Sequence, residues 1–376
     1  MAAWQPRLRS LPTVGCRAFR ALVADGAGCQ LRDVAALAEL PRQDPRAEVT
    51  IKVTHSTINY KDAMVVLGRP GVVKGWPIVP GIDAAGVVQS VADTDASSSL
   101  APKFSVGDRV TVTGNKIGQH FDGGYSGLLA VKAGWCVGTP EALGPARSMA
   151  IGSAGHTAMM CVEHLEEHGD LRRWLGRDDA PVLVTGAGGG LGAIATAILA
   201  HLGYKVHAST GRPAELGDFL TSLGPPGSVE VVPRLDHDAV RRPLGRQLYG
   251  GVVDAVGGAT LAGTAALTRY RSAIASVGVA GGGNFEGTVY PFILRGVRLL
   301  GIDTTLPWDV EGYEEDPETW LRYREERLRL WERLATDLPV EALERCTSRT
   351  IGLEEVPKVA EEVLAGKHVG RIVVEL

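Results

Sequence analysis

The chain has 376 residues, which is enough for two or three domains with a sizeable core. Its 39 basic and 43 acidic side chains nearly cancel, so its overall charge favours neither nucleic acid nor an anionic membrane as a partner. The five cysteines stand far apart without a CxxC pair, and no apolar run reaches the roughly 18 residues of a membrane span. We therefore expect a cytoplasmic protein with no disulfide framework and no structural zinc lobe.

The first eighteen residues contain Arg7, Arg9 and Arg17 but no acidic side chain. This composition is typical of a transit peptide for import into an organelle, and equally of a disordered start. We treat residues 1–18 as an N-terminal extension and leave both interpretations open.

Short β-rich runs separated by turn residues follow this extension. They predict strands at Phe19–Ala24, Val49–His55, Ala84–Val91, Arg109–Thr113 and Leu128–Lys132. Strands of this length and spacing indicate a small, curled β-domain or barrel.

Polar residues gather where one of these strands meets a short apolar helix, in the run Asn59-Tyr60-Lys61-Asp62. Polar groups at such a junction often face a cleft, although Asn59 or Asp62 could equally cap the helix by bonding its free N–H groups. Asp83 has a similar ambiguity, because its carboxylate could simply accept hydrogen bonds from neighbouring backbone.

A helical stretch of small residues over 149–165 carries a single histidine, His156. No acidic side chain is spaced to orient its ring. The sequence therefore favours a packing role for His156 over a general base.

A dinucleotide-binding motif begins at Val182–Val184, an apolar run without alternation that predicts a parallel strand covered on both faces. Gly186, Gly189 and Gly192 follow in a GxxGxxG spacing, and apolar residues then recur at helical intervals. Glycines allow backbone N–H groups to approach a pyrophosphate at the first turn of the helix. This strand, turn and helix predict a nucleotide site of the Rossmann type.

The next predicted strand, Tyr204–Ser209, ends where an NAD site would place a carboxylate on the adenosine ribose. Thr210, Gly211 and Arg212 stand there instead. A threonine hydroxyl and a guanidinium can bind a 2′-phosphate, so the sequence favours NADPH. The alternative is an ordinary surface arginine after a turn.

Further strands are predicted at Val229–Val232, Val252–Val256, Ala273–Gly278 and Val297–Ile302, which makes six with the two already described. Alternation with helices predicts a doubly wound parallel sheet. Gly278–Gly283 would end a strand where backbone can approach the nicotinamide. Trp320–Leu338 predicts an amphipathic helix, and Arg371–Glu375 predicts a last strand that could return to the first sheet.

Seven motifs, taken together, resemble the NADPH-dependent acrylyl-CoA reductases, a zinc-free, quinone-oxidoreductase-like branch of the medium-chain dehydrogenase/reductase superfamily. They are Asn59 to Asp62, Pro80 to Gly86, Gly155 to Ala158, Val184 to Gly192, Thr210 to Arg212, Arg242 to Leu244 and Pro291 to Arg295. The resemblance implies an α/β fold with a GroES-like β-barrel domain over 19–147 and 340–376 and a Rossmann domain over 148–339. The active site would lie in the cleft between the two domains.

The resemblance also implies site residues. NADPH would contact Tyr60, Gly186, Gly188, Gly189, Gly190, Leu191, Gly192, Thr210, Gly211, Arg212, Arg242 and Val279. Asp83 and Arg295 are candidates for substrate binding. The segment Thr304–Glu318 looks like an insertion relative to this family, so the resemblance implies no contact with a thioester tail there.

Metal ligands are missing from the sequence positions where zinc-dependent relatives have a cysteine and a His-Glu pair, since these positions read Asn59 to Asp62 and Ile82-Asp83. We therefore expect no metal and no direct carbonyl reduction. Hydride addition to the β-carbon of a conjugated C=C gives an enolate that hydrogen-bond donors can stabilise. Tyr60 is the candidate proton donor, Asn59 positions cofactor or substrate, Asp62 orients the loop, and bulk water is a second proton source.

The sequence thus predicts an enzyme that reduces acrylyl-CoA, an acyl-CoA thioester, to propanoyl-CoA with NADPH. One alternative is a quinone or alkenal reductase of broad specificity that acts on other small activated alkenes. Another is a non-catalytic, crystallin-like NADPH-binding protein. No nucleic acid or membrane is expected as a partner, and the resemblance suggests a homodimer through the edge of the Rossmann sheet.

Overall fold

Two large sheets organise the chain, one mixed and seven-stranded, the other parallel and six-stranded. The computed structural model describes residues 18–92, 102–235, 243–304 and 316–376. Almost all of the predicted N-terminal extension, Arg242 and most of the segment 304–318 lie outside these ranges.

The strands within the described ranges are β1 (Phe19–Ala24), β2 (Cys29–Val34), β3 (Val49–Thr57), β4 (Asp83–Val91), β5 (Arg109–Thr113), β6 (Leu128–Val131), β7 (Val137–Gly138), β8 (Val182–Thr185), β9 (Val206–Thr210), β10 (Val229–Pro233), β11 (Gly251–Asp254), β12 (Ala273–Ser276), β13 (Arg298–Gly301), β14 (Thr347–Gly352) and β15 (Arg371–Glu375). The helices are α1 (Tyr60–Val66), α2 (Gly144–His168), α3 (Gly190–His201), α4 (Pro213–Thr221), α5 (Gly258–Leu267), α6 (Tyr290–Arg295), α7 (Pro317–Asp337), α8 (Val340–Cys346) and α9 (Val356–Leu364). None of these helices is both long enough and apolar enough to cross a membrane.

The mixed sheet forms the barrel and runs in the order β14-β15-β3-β4-β5-β7, with β6 also paired to β3. Its core contains Val49, Ile51, Val110 and Trp135, all at most 1% exposed. The strand β15 pairs antiparallel with β3, which brings Val373 opposite Thr57. The expected return of the last strand to the first sheet is therefore confirmed.

The parallel sheet runs in the order β10-β9-β8-β11-β12-β13. This is the doubly wound arrangement that the sequence predicts, and the predicted fold class is confirmed. All four residues of β8 are buried, which explains why that strand shows no polar alternation. The prediction Val252–Val256 runs two residues too far, because the chain turns after Asp254 and reaches Gly257 at φ 72°.

Two helices connect the sheets. The helix α2 bends at Gly152, where φ is 52° and ψ is −162°, and a Cβ there would lie 2.8 Å from Nη2 of Arg371. The helix α7 packs Trp331 into the core around the parallel sheet, and Trp320 against the barrel core. These two helices therefore hold the barrel and the parallel sheet together.

Candidate active site

A cleft with a volume of about 810 Å³ separates the barrel from the carboxyl ends of the parallel strands. Twelve of the residues predicted for the site line it: Asn59, Tyr60, Gly186, Gly188, Gly189, Gly190, Leu191, Gly192, Thr210, Gly211, Arg212 and Val279. Asp62, Asp83 and Arg295 do not, and Arg242 lies outside the described residues. The cleft matches the rule that ligands of such sheets bind beyond the strand ends.

The glycine turn between β8 and α3 is tight and closely packed. Gly186 adopts φ 61°, and a Cβ on Gly192 would collide with the carbonyl oxygen of Gly186. The peptide N–H of Gly370, next to β15, donates to the carbonyl of Gly188 at 2.9 Å. The chain just before the barrel's last strand is therefore bonded directly to this glycine turn.

The Arg212 guanidinium, which lines the cleft after β9, already has partners in this structure. It donates to the carbonyl oxygens of Lys367 at 3.3 Å and His368 at 3.0 Å, and it contacts the Glu215 carboxylate at 2.9 Å. Burial, followed by the nearby Arg371 and Arg212 charges, lowers the pKa of His368 to about 4.

On the barrel side of the cleft, the Asn59 side chain forms hydrogen bonds with three other polar side chains. Its Nδ2 donates to Oδ2 of Asp62 at 2.9 Å and to Oδ2 of Asp83 at 2.8 Å, while its Oδ1 accepts from Nη1 of Arg371 at 3.2 Å. Both amide hydrogens are therefore committed to carboxylates. The neighbouring Tyr60 is 47% exposed, so its side chain is accessible to a ligand.

Asp62 lies fully buried behind this turn. Its carboxylate accepts from the peptide N–H groups of Asn59 at 2.9 Å and Ile82 at 2.8 Å. Burial, and secondarily the Asp83 charge, raises the pKa of Asp62 to about 7. The contact with the Asn59 N–H is a helix cap, so the capping alternative weighed from sequence describes Asp62 well.

Asp83 is also fully buried and bonds side chains from distant elements. It accepts from the Ser153 N–H at 3.0 Å and the Ser153 hydroxyl at 2.6 Å, in addition to the Asn59 amide. The bend of α2 at Gly152 makes this approach possible. Since the carboxylate lies behind Asn59, its effect on a ligand in the cleft would be indirect.

Arg371 places a cation next to these two carboxylates. Its Nε donates to the carbonyl of Ala150 at 2.8 Å and its Nη2 to Oγ1 of Thr57 at 2.8 Å, and the residue is 3% exposed. Burial lowers the pKa of this guanidinium. Sequence reasoning missed Arg371, because nothing within the local pattern of β15 indicates that its side chain reaches Asn59.

Arg295, predicted to bind substrate, and His156, weighed as a general base, both lie away from the cleft. Arg295, at the end of α6, donates to the carbonyl oxygens of Ala266 at 2.8 Å and Gly245 at 2.6 Å. His156 is 1% exposed, with its ring centroid 6.1 Å from that of Trp331. Burial and the Arg327 charge lower the pKa of His156 well below its ordinary value, which fits the packing role.

Sequence reasoning also missed Arg234, which lines the cleft beside Gly211. It follows β10, the neighbour of β9 in the parallel sheet. The strand-end rule that indicated Thr210 and Arg212 could therefore have found it. Within 18–92, 102–235, 243–304 and 316–376, no three His, Cys, Asp or Glu side chains are grouped so that they could hold a metal ion.

Residues 45–141 match the family described as alcohol dehydrogenase GroES-like domain. The acrylyl-CoA reductase AcuI of Ruegeria pomeroyi is 43% identical over 360 residues, with 95% of this chain and 99% of that protein covered. The crystal structure of the YhdH oxidoreductase of Salmonella enterica in complex with NADP is 34% identical, with 95% of this chain and 99% of that chain covered and a TM-score of 0.79. A quinone oxidoreductase of Sus scrofa is 28% identical over 166 residues, which is 44% of each protein.

The match to AcuI extends over both the barrel and the parallel sheet, and five of the seven motifs on which the resemblance rests contribute residues to the cleft between them. The chain belongs to the acrylyl-CoA reductase family, in the quinone-oxidoreductase-like branch of the medium-chain dehydrogenase/reductase superfamily.

Proposed function

We propose that this protein reduces the C=C bond of acrylyl-CoA to give propanoyl-CoA, with NADPH as the reductant and without a metal ion. The observation that carries the proposal is that one cleft is lined by both the glycine turn and the Asn59-Tyr60 turn, in a chain 43% identical to an acrylyl-CoA reductase. The NADP bound to the Salmonella relative supports the choice of cofactor.

The cleft fits a dinucleotide on the geometry of its own residues. A Cβ on Gly188 would collide with Leu216 and one on Gly190 with Arg371, so the close packing of this turn leaves no room for a side chain at either position. Gly186 and Gly192 shape the turn, with Thr210 to Arg212 at its adenosine end. The Val279 loop follows β12 at the opposite side of the cleft. NADPH bound along these residues would supply the hydride for the reduction.

The barrel side of the cleft carries the candidate proton donor and the residue that holds it in place. When a hydride reaches the β-carbon of the acrylyl group, negative charge spreads to the thioester oxygen, and the α-carbon must then take a proton. Tyr60 is 47% exposed and lines the cleft, and its hydroxyl could donate this proton or relay it from water. Asn59, fixed by two carboxylates and Arg371, would act by holding the turn that carries Tyr60.

A comparison of four substrates tests the proposal. NADPH oxidation is measured with acrylyl-CoA, crotonyl-CoA, acrolein and a benzoquinone, at several concentrations of each. We expect the highest kcat/KM for acrylyl-CoA, and NMR of the product formed from deuterated cofactor should place the deuterium on the β-carbon. Equal or faster turnover of free acrolein would contradict a requirement for the CoA moiety.

A quinone reductase is the second candidate, because the porcine quinone oxidoreductase shares the sequence over part of the chain. Faster turnover of benzoquinone than of acrylyl-CoA would support it. Cofactor binding without turnover of any of the four substrates would instead support the non-catalytic alternative.

We also propose a cytoplasmic homodimer. Cys29, Cys136, Cys161 and Cys346 are free thiols, as expected of a reducing compartment. The strand β13 is an edge of the parallel sheet, with Leu299 39% exposed on it and Ile293 68% exposed on the preceding helix α6. Pairing of β13 with its copy would extend the sheet and cover these side chains.

A further inference from the structure

We propose that Asp254 is a positioning residue for hydride transfer, which acts by holding the ends of three parallel strands at the nicotinamide end of the cleft. Asp254 does not itself line the cleft, so it would act through its neighbours. The inference rests on the proposed role of NADPH as hydride donor, and it does not depend on which alkene or quinone accepts the hydride.

The Asp254 side chain fixes the end of β8 and the turn after β11. It is fully buried, and its Oδ1 accepts from the Thr185 hydroxyl at 2.6 Å while its Oδ2 accepts from the peptide N–H of Gly257 at 2.8 Å. The Thr185 hydroxyl in turn accepts from the peptide N–H of Ala255 at 3.0 Å. Thr185, Ala255 and Gly257 all line the cleft, so this carboxylate determines the position of part of its wall.

The main chain of Asp254 fixes the end of β12. Its carbonyl oxygen accepts from the peptide N–H groups of Val277 at 3.0 Å and Gly278 at 3.2 Å. Both of these residues line the cleft, and Val279 follows them with its side chain 63% exposed. Since β11 lies between β8 and β12 in the sheet, Asp254 connects three neighbouring strand ends.

The turns after β11 and β12 pack backbone against backbone. A Cβ on Gly257 would lie 2.6 Å from the carbonyl oxygen of Gly278, and a Cβ on Gly278 would collide with the carbonyl oxygen of Ala255. The peptide N–H of Gly281 donates to the carbonyl oxygen of Val256 at 2.7 Å. Because closely packed groups transmit strain, a shift of one turn displaces the other.

These turns lie at the end of the cleft where the hydride would leave. In the sheet, β11 and β12 stand on one side of β8, and β9 and β10 stand on the other. A dinucleotide with its pyrophosphate at the β8 turn and its adenosine at β9 therefore extends its nicotinamide toward β11 and β12. Hydride transfer is sensitive to this placement, since a misplacement of about 1 Å can cost about 10² in rate.

Two variants of the hydrogen bond between Thr185 and Asp254 test the inference. Thr185→Val removes the hydroxyl. Asp254→Asn replaces one acceptor oxygen with a donor, so that Thr185 and Gly257 cannot both keep their bonds. Thr185→Ser restores the hydroxyl. The control is Thr268→Val, which removes another fully buried hydroxyl, one that donates to the carbonyl of Thr264 at 2.8 Å and does not line the cleft.

Time-resolved fluorescence anisotropy of NADPH bound to the full-length protein reports how firmly the nicotinamide is held, and it requires no substrate. We expect faster depolarisation in Thr185→Val and Asp254→Asn, with the affinity for 2′,5′-ADP, which lacks the nicotinamide, unchanged. Single-turnover hydride transfer to a substrate that the wild-type protein reduces should slow by about ten- to a hundredfold. Thr185→Ser should restore both signals, and Thr268→Val should alter neither.

Unchanged anisotropy or unchanged hydride transfer in Thr185→Val would overturn the inference, even if Asp254→Asn failed to fold. A parallel loss of 2′,5′-ADP affinity, an equal effect in Thr268→Val, or failure of the wild-type protein to bind NADPH would overturn it as well. Because the anisotropy measurement contains no acyl-CoA, a protein that shows the expected anisotropy changes but does not reduce acrylyl-CoA would refute only the proposed reaction.

Discussion

The Nη1 atom of Arg371 donates to Oδ1 of Asn59 at 3.2 Å across 312 residues of sequence. The same guanidinium lies against the nucleotide loop, since a Cβ on Gly190 would be 2.9 Å from Nη1. One buried side chain from β15 thus contacts the polar turn of the barrel and borders the proposed pyrophosphate site.

Replacement of Arg371 by Met should therefore destabilise the fold. The substitution leaves Asp62 and Asp83 buried without their nearby cation, and loss of one partner from a buried charged cluster typically costs about 3–5 kcal/mol. Urea unfolding at pH 8, above the raised pKa of about 7 of Asp62, measures the change. An unfolding free energy equal to that of the wild-type protein would show that the cluster does not need Arg371.

Replacement of Tyr60 by Phe should lower turnover and leave the fold intact, because the ring is half exposed. Loss of a positioned proton donor usually lowers the rate by about 10² to 10⁴, and water as the second source favours the lower end. The measurements are kcat with acrylyl-CoA and the solvent isotope effect on it. Full turnover with an unchanged isotope effect would refute the proton-donor role.

Replacement of Arg212 by Ala should weaken NADPH by about 1.5–3 kcal/mol, or roughly ten- to a hundredfold, while NADH is nearly unaffected. The paired variant Glu215→Gln removes the carboxylate that contacts Arg212 and should strengthen NADPH binding. Fluorescence titration of the wild-type protein and both variants with both cofactors gives the six dissociation constants. Equal losses for NADPH and NADH would mean that Arg212 acts through its contacts with Lys367 and His368 instead.

Replacement of Asp62 by Asn should remove a pH dependence of stability. The pKa of the folded-state carboxyl is raised to about 7 from an ordinary 3.8, so the folded protein keeps this proton where the unfolded chain has lost it. The resulting contribution is complete below about pH 4 and declines by up to about 4 kcal/mol as the pH rises through 7. Urea unfolding of both proteins from pH 5 to pH 8 measures the difference, and identical pH slopes would contradict the assignment.

Replacement of Leu299 by Glu should dissociate the proposed dimer, because it places a charge on the edge strand β13. Sedimentation velocity at micromolar concentration should show a monomer for this variant and a dimer for the wild-type protein. Val106→Glu is the control, since Val106 is an exposed apolar residue of the barrel at 69% exposure. A wild-type monomer would refute the proposal directly.

The sequence was most informative where a local pattern determines the structure. The uninterrupted apolar run of β8 and the glycines after it predicted both the strand and the nucleotide turn, because burial and close approach act on neighbouring residues. The strands β2 and β14 were not predicted, since polar residues interrupt both of them. The strand β11 ends at Asp254 because the chain turns there toward Gly257, which has a positive φ. The hydrophobic periodicity of the sequence does not reveal this turn.

The buried network behind the cleft could not be predicted in the same way. Asp83 acquires its partner Ser153 only because α2 bends at Gly152, and Arg371 reaches Asn59 only because β15 pairs with β3. These contacts depend on how the sheets and helices assemble. No local motif could therefore predict that Asn59 bonds two carboxylates and a guanidinium.

The pairing of β15 with β3 also has a consequence for biosynthesis. A ribosome completes Asn59 long before it adds Arg371, so the nascent chain carries Asp62 and Asp83 for most of translation without the cation that accompanies them in the native state. We therefore expect β3 to lack its native partner β15 until translation is nearly complete, and nucleotide to bind in native geometry only after that late strand has emerged and docked.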